Sequence, residues 1–190
     1  MSYSGRVIDA LTLSMELHHW QTRKGTSIPY VTHLWAVASL VGEYGGDENQ
    51  VIAALLHDAI EDQGDKITFE QIQERFGTRV VDIVRGCTDA ETMPKPPWEK
   101  RKQQYITHLT TAPPHVKLVS AADKLHNARA IVSDLRREGS AVWTRFNAGA
   151  TEQVWYYEKL VVALRTKWSH RIVDELEQVV HELAQLAKKS

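Results

Sequence analysis

Apolar residues recur every three or four positions along most of the chain, a period that predicts helices almost throughout. From Val7 to Trp20, the positions Val7, Ile8, Leu11, Met15 and Leu17 mark one helix, and Gln21 to Ile28 follows as a loop. Pro29 opens the next helix, where its missing N–H costs little. Val31, Leu34, Trp35, Val37, Ala38, Leu40 and Val41 make that helix broadly apolar until Gly45-Gly46 ends it. Asp47 and Gln50 stand at capping-box spacing before a third helix, Val51 to about Ile60, which is apolar nearly all round and therefore central. Thr68 and Gln71 repeat that signature for a short helix ending at Phe76-Gly77, and Val80 to Cys87 forms another.

Asp89 to Pro97, rich in proline, predicts a loop too long to be a simple turn. Trp98 to Leu109 is helical. Pro113-Pro114 start a further helix with Val116, Leu118, Val119, Ala121, Ala122 and Leu125 as its apolar positions. Asp134 to Ser140 is polar and turn-like, and Val142 to Leu164 and Trp168 to Ala187 predict two long helices. No stretch alternates convincingly as a strand. The expected fold class is all-α, a bundle of about eight to ten helices in one domain. Its working core falls within about 21–160, with a C-terminal helix at 168–188.

Composition narrows the function. A net charge of −1 and a pI near 6.8 give no global basic field for nucleic acid. Cys87 is the single cysteine, which excludes an internal disulfide and a thiolate metal cage. No run of about 18 apolar residues and no signal-peptide core occur, so a soluble, cytoplasmic protein off the membrane is expected. A homodimer is compatible with the sequence.

Against this background some polar residues stand out. His33 lies inside the apolar second helix, His57-Asp58 end the central one, and Asp123 interrupts a buried stretch. A buried carboxylate is costly without a partner. Lys124 is next in sequence but points roughly 100° away on a helix, so Asp123 needs another partner. A lone buried histidine is usually a satisfied core residue, and an aromatic stripe such as Trp155-Tyr156-Tyr157 is usually core. His18 and His19 read as surface or capping residues at a helix C-terminus. Four ligand types on three helices are nevertheless jointly explained by one divalent ion. Two imidazoles and two carboxylates suit Mn, Fe, Ni or Zn. Glu61 and Asp62, one helical turn after His57 and Asp58, can orient or deprotonate water. Arg23 and Lys24 in their loop can face one phosphate. Lys100, Arg101 and Lys102 oppose the dipole of their helix, a conflict an anion could relieve.

The ordered set His33, His57-Asp58-Ala59-Ile60-Glu61-Asp62 and Asp123-Lys124-Leu125-His126-Asn127 resembles the HD-domain metal phosphohydrolases. With Arg23-Lys24-Gly25 and Pro29-Tyr30 it is similar to the hydrolase domain of the RelA/SpoT alarmone enzymes, and its size to the small stand-alone alarmone hydrolases of the Mesh type. The resemblance runs from about Gln21 to Tyr157. It implies an all-helical, Mn2+-dependent 3′-pyrophosphohydrolase of guanosine tetra- or pentaphosphate, giving GDP or GTP and pyrophosphate, although another divalent ion would also suit the donors. It implies metal ligands at His33, His57, Asp58 and Asp123 and water activation at Glu61 and Asp62. Substrate contacts would come from Arg23, Lys24, Asn127 on the ribose side and Tyr156. It also implies degradation without synthesis, because 190 residues leave no room for a synthetase domain. The sequence leaves two alternatives open: hydrolysis of another nucleotide such as ppApp or NADPH, and a non-catalytic nucleotide sensor.

Overall fold

The computed structural model describes residues 3–89, 94 and 96–189. Ten α-helices make up most of it: α1 (Gly5–His18), α2 (Val31–Glu43), α3 (Glu48–Leu56), α4 (Ala59–Gln63), α5 (Phe69–Phe76), α6 (Thr78–Cys87), α7 (Trp98–Thr111), α8 (Pro114–Glu138), α9 (Ala150–Arg165) and α10 (Arg171–Ala187). Among the described residues no strand forms, and the one isolated β-bridge joins Thr22 to Pro29 across the loop between α1 and α2. No described helix is long and apolar enough to cross a membrane. The predicted loop at Asp89–Pro97 lies partly outside the described residues.

Local sequence signals set the helix starts. The Asp47 side chain accepts from Gln50 N while Gln50 Oε1 accepts from Asp47 N, and Thr68 with Gln71 does the same for α5. Each box satisfies two backbone donors that a helix start leaves over. Helix α3 is buried along its length from Gln50 to Leu56 and packs on α1, α2, α6 and α8. Helix α8 runs through the centre, against α2, α3, α6, α9 and α10. Gly86 lets α6 approach α8 closely, since a Cβ there would meet Val116 Cγ1 at 2.7 Å. Buried Lys117 spends its charge on structure, its Nζ donating to the carbonyls of Ala163, Leu164 and Thr166 at the end of α9.

Three expectations about element boundaries are corrected. The central helix does not continue from Val51 to Ile60. It stops at Leu56, Asp58 takes φ −100° and ψ 2°, and α4 starts as a separate helix at Ala59. One turn survives across this break, Asp62 N donating to Asp58 O at 2.9 Å. Asp134–Ser140 is not a turn, because α8 continues to Glu138 with Leu135 buried beneath its charged outer face. Val142–Leu164 is not one helix: a 3-10 segment (Gly139–Arg145) and a short irregular stretch precede α9.

Candidate metal centre

His33 on α2, His57 and Asp58 at the α3–α4 break, and Asp123 on α8 meet in one place. His57 Nε2 lies 3.0 Å from Asp58 Oδ2 and 3.6 Å from Asp123 Oδ1. His33 Nε2 lies 3.2 Å from Asp123 Oδ1 and 3.9 Å from Asp58 Oδ2. With metal–donor bonds of about 2.0–2.2 Å, donors around one ion stand up to about 4.4 Å apart, and these four separations fall inside that limit. Each imidazole is 1% exposed, and neither Nε2 has a hydrogen-bond partner among the described residues. A buried ring nitrogen without a partner is costly. Two such atoms turned towards two carboxylates fit a shared cation better than they fit each other.

The electrostatics agree. Burial opposes ionisation of Asp58 and Asp123, yet His57 beside the first and Lys124 beside the second hold both carboxyls well below the usual range. Burial likewise works against a charged His57, and the two carboxylates overcome it and raise its pKa well above the ordinary value. Both carboxylates are therefore ionised where the four groups meet.

Supports surround the quartet. His57 Nδ1 donates to the Ala54 carbonyl at 2.7 Å, and His33 Nδ1 faces His126 Nδ1 at 2.8 Å. Tyr30 donates its hydroxyl to Asp58. Asn127 Nδ2 donates to Asp123 Oδ1 at 2.6 Å and Lys124 Nζ to Asp123 Oδ2 at 2.7 Å. The last contact corrects the reading that Lys124 points away from Asp123: the backbone positions diverge, but a four-carbon stem bends back across the gap.

Beside the quartet lies a cavity of about 300 Å³. Among the described residues five cations line it, Arg23, Lys24, Lys102, Lys124 and Arg145, against one acid, Asp134. Gly25 makes room for one of them: it takes φ 72°, and a Cβ there would meet Arg145 Cδ at 2.6 Å. Lys102 and Lys124 bond to Asp89 and Asp123, and Arg145 to Asp134 and Glu138. Arg23 and Lys24 bond to neutral amides, Asn127 at 2.9 Å and Asn147 at 3.0 Å, so their charge remains available to an anion. Arg23 Nη1 and the Tyr156 hydroxyl are buried in this region without a hydrogen-bond partner among the described residues.

A family model described as the HD domain matches residues 10–153. The chain belongs to the HD-domain family. It is 36% identical over 141 residues to guanosine-3′,5′-bis(diphosphate) 3′-pyrophosphohydrolase MESH1 of Xenopus tropicalis, covering 73% of this chain and 74% of that one. It is 29% identical over 191 residues to the MESH1 of Mus musculus, covering 99% and 94%. Among solved structures it is similar to a metazoan orthologue of SpoT described as hydrolysing ppGpp, with a TM-score of 0.78, 26% identity, and 95% and 97% of the two chains covered. HD domains are metal-dependent, and in this one His33, His57 and Asp58 form a cluster able to hold an ion, with Asp123 beside both imidazoles.

The other anticipated residues of this HD domain sit around the quartet in a different way. Glu61 and Asp62 follow the α3–α4 break on α4, with Asp62 one turn after Asp58. Glu61 accepts from the backbone N–H of Asp89 at 3.3 Å, and Asp62 accepts from Gln21 Nε2 at 2.7 Å. His18 is not a surface residue: it is 1% exposed, stacks on Tyr30 and bonds Gln21 Oε1 at 2.7 Å. His19 is exposed, as expected. The charge conflict at the start of α7 is settled internally, because Arg101 and Lys102 pair with Asp89. Sequence reasoning missed Lys102 and Arg145 as pocket residues. For Lys102 the unfavourable charge at a helix start was the available signal. For Arg145 the signal was Gly25, whose missing side chain leaves the space its stem fills.

Proposed function

We propose that this HD domain is a Mn2+-dependent 3′-pyrophosphohydrolase acting on guanosine tetra- or pentaphosphate, with GDP or GTP and pyrophosphate as products. One observation carries the reading: two unpartnered buried imidazole nitrogens and two ionised carboxylates adjoin a cavity lined by five cations. That pairing suits a phosphate ester brought to a metal. The relatives named as ppGpp pyrophosphohydrolases supply the choice of nucleotide.

In this reading His33, His57, Asp58 and Asp123 hold the ion. A bound divalent cation supplies Lewis-acid activation of water and phosphoryl oxygen. Glu61 and Asp62 orient the attacking water and accept its proton. Asp62 is steadied by Gln21, whose Oε1 also accepts from Gln63 Nε2 at 3.0 Å, which leaves its amide nitrogen to face Asp62. Arg23 and Lys24 bind phosphate oxygens, since they are the pocket cations bonded to neutral partners. Asn127 links Arg23 to Asp123, which supports a contact from it to the ribose side of the nucleotide. Tyr156 closes the nucleotide side, with Lys102 Nζ 4.9 Å from its ring centroid.

The test is pyrophosphate release from ppGpp, ppApp and NADPH side by side, after chelation and again after adding Mn2+. The proposal expects release from ppGpp that stops with chelator and returns with Mn2+. Release favouring ppApp or NADPH would change the substrate, and no metal-dependent release from any of the three would overturn the hydrolase reading.

A further inference from the structure

The two imidazoles of the quartet are supported differently. His57 Nδ1 bonds to the Ala54 carbonyl. A carbonyl only accepts, so Nδ1 must carry a hydrogen, and Nε2 is the nitrogen that would offer a lone pair to a cation taking the place of its proton. His33 Nδ1 instead faces His126 Nδ1, 2.8 Å away. Two ring nitrogens at that distance share one hydrogen, and either can be the donor. If His33 donates, its Nε2 turns a lone pair towards Asp123 and Asp58. If His126 donates, His33 carries its hydrogen on Nε2 and cannot ligate. The rings of His33 and His126 are 4.9 Å apart, and His33 is 1% exposed, so the His33 ring has no room to turn away, while His126 is half-buried.

We propose that His126 is a positioning residue that sets which nitrogen of His33 faces the ion, and so sets how tightly the centre holds a divalent cation. Asp123, His126 and Asn127 stand three and four residues apart on α8, so one turn delivers a ligand and two supports to the same place. Partners that hold the second nitrogen of a metal-binding histidine typically change metal affinity 10–100-fold when removed. The usual partner is a carboxylate, a carbonyl or water. A second imidazole differs, because it can exchange the donor role. The inference rests on the metal-centre reading above.

The experiment measures Mn2+ dissociation constants by electron paramagnetic resonance of free Mn2+ for the wild type, His126→Leu and His126→Asn. Leucine and asparagine have nearly the same shape, but only asparagine keeps an acceptor close to the place of Nδ1. His126→Leu should bind Mn2+ about 10–100-fold more weakly, and His126→Asn should stay close to wild type. Wild-type affinity in His126→Leu, or equal weakening in both variants, would overturn the proposal. A wild type that binds no Mn2+ at all would remove the metal-centre reading itself, and this inference with it. A second measurement uses no variant. In 15N-histidine-labelled wild type loaded with diamagnetic Zn2+, His33 should carry its hydrogen on Nδ1 and His126 on Nε2. The reverse assignment would contradict the proposal even if His126→Leu failed to fold.

Discussion

The candidate metal quartet and the pocket beside it share a wall and present opposite charges, carboxylates on one side and cations on the other. In the quartet, two buried carboxylates outweigh what surrounds them, strongly enough to raise the pKa of His57 against the effect of burial. In the pocket, five cations face one acid. Tyr30, Lys124 and Asn127 belong to both: each lines the pocket and each bonds to Asp58 or Asp123. A cation site and an anion site side by side would neutralise each other if their charged groups could meet freely. Here they meet at Lys124, whose Nζ pairs with Asp123, while the neutral groups of Tyr30 and Asn127 bond to Asp58 and Asp123 along the same wall. The contrast predicts that damage on one side changes metal binding, and damage on the other changes substrate binding.

The largest effect should follow from Asp123→Asn. It removes the carboxylate that stands within 3.2 Å of His33 Nε2 and 3.6 Å of His57 Nε2, and Mn2+ affinity should fall by more than about 100-fold. Full Mn2+ occupancy in this variant would break the comparison on its metal side. Glu61→Gln should keep Mn2+ bound and lower kcat by about 10²–10⁴-fold, whereas an unchanged kcat would take Glu61 out of the chemistry. Lys24→Ala should leave the Mn2+ dissociation constant alone and raise KM about tenfold, an interaction of about 1.4 kcal/mol. If KM does not move, the phosphates are held elsewhere in the pocket. The smallest effect belongs to Asp47→Ala, which breaks a capping box remote from both sites. It should lower unfolding stability by about 1 kcal/mol and change neither Mn2+ affinity nor KM. A change in either would mean that the two sites depend on the setting of α3.

Much of this arrangement was legible in the sequence because its signals are local or anomalous. The capping boxes at Asp47 and Thr68 lie within four residues each and formed as read. His33 and Asp123 were legible because polar groups inside apolar helices call for an explanation. What escaped depended on three-dimensional reach. The turn at Asp58 uses a backbone conformation that no glycine or proline announces, so the apolar period ran unbroken from Leu56 to Ile60. The Lys124–Asp123 pair depends on a flexible stem, which a count of helical angles ignores. His18 ends a helix, where a cation is welcome, and its burial follows only from the packing of Tyr30 over it. Lys102 and Arg145 reach the pocket from α7 and the 3-10 segment, a meeting that no spacing along the chain encodes.

The central claim is that His33, His57, Asp58 and Asp123 hold one divalent cation. Anomalous diffraction from crystals grown with Mn2+ addresses it most directly. The account predicts a single strong peak within bonding distance of His33 Nε2, His57 Nε2 and a carboxylate oxygen each from Asp58 and Asp123. A peak bound elsewhere, or none at saturating Mn2+, would contradict it.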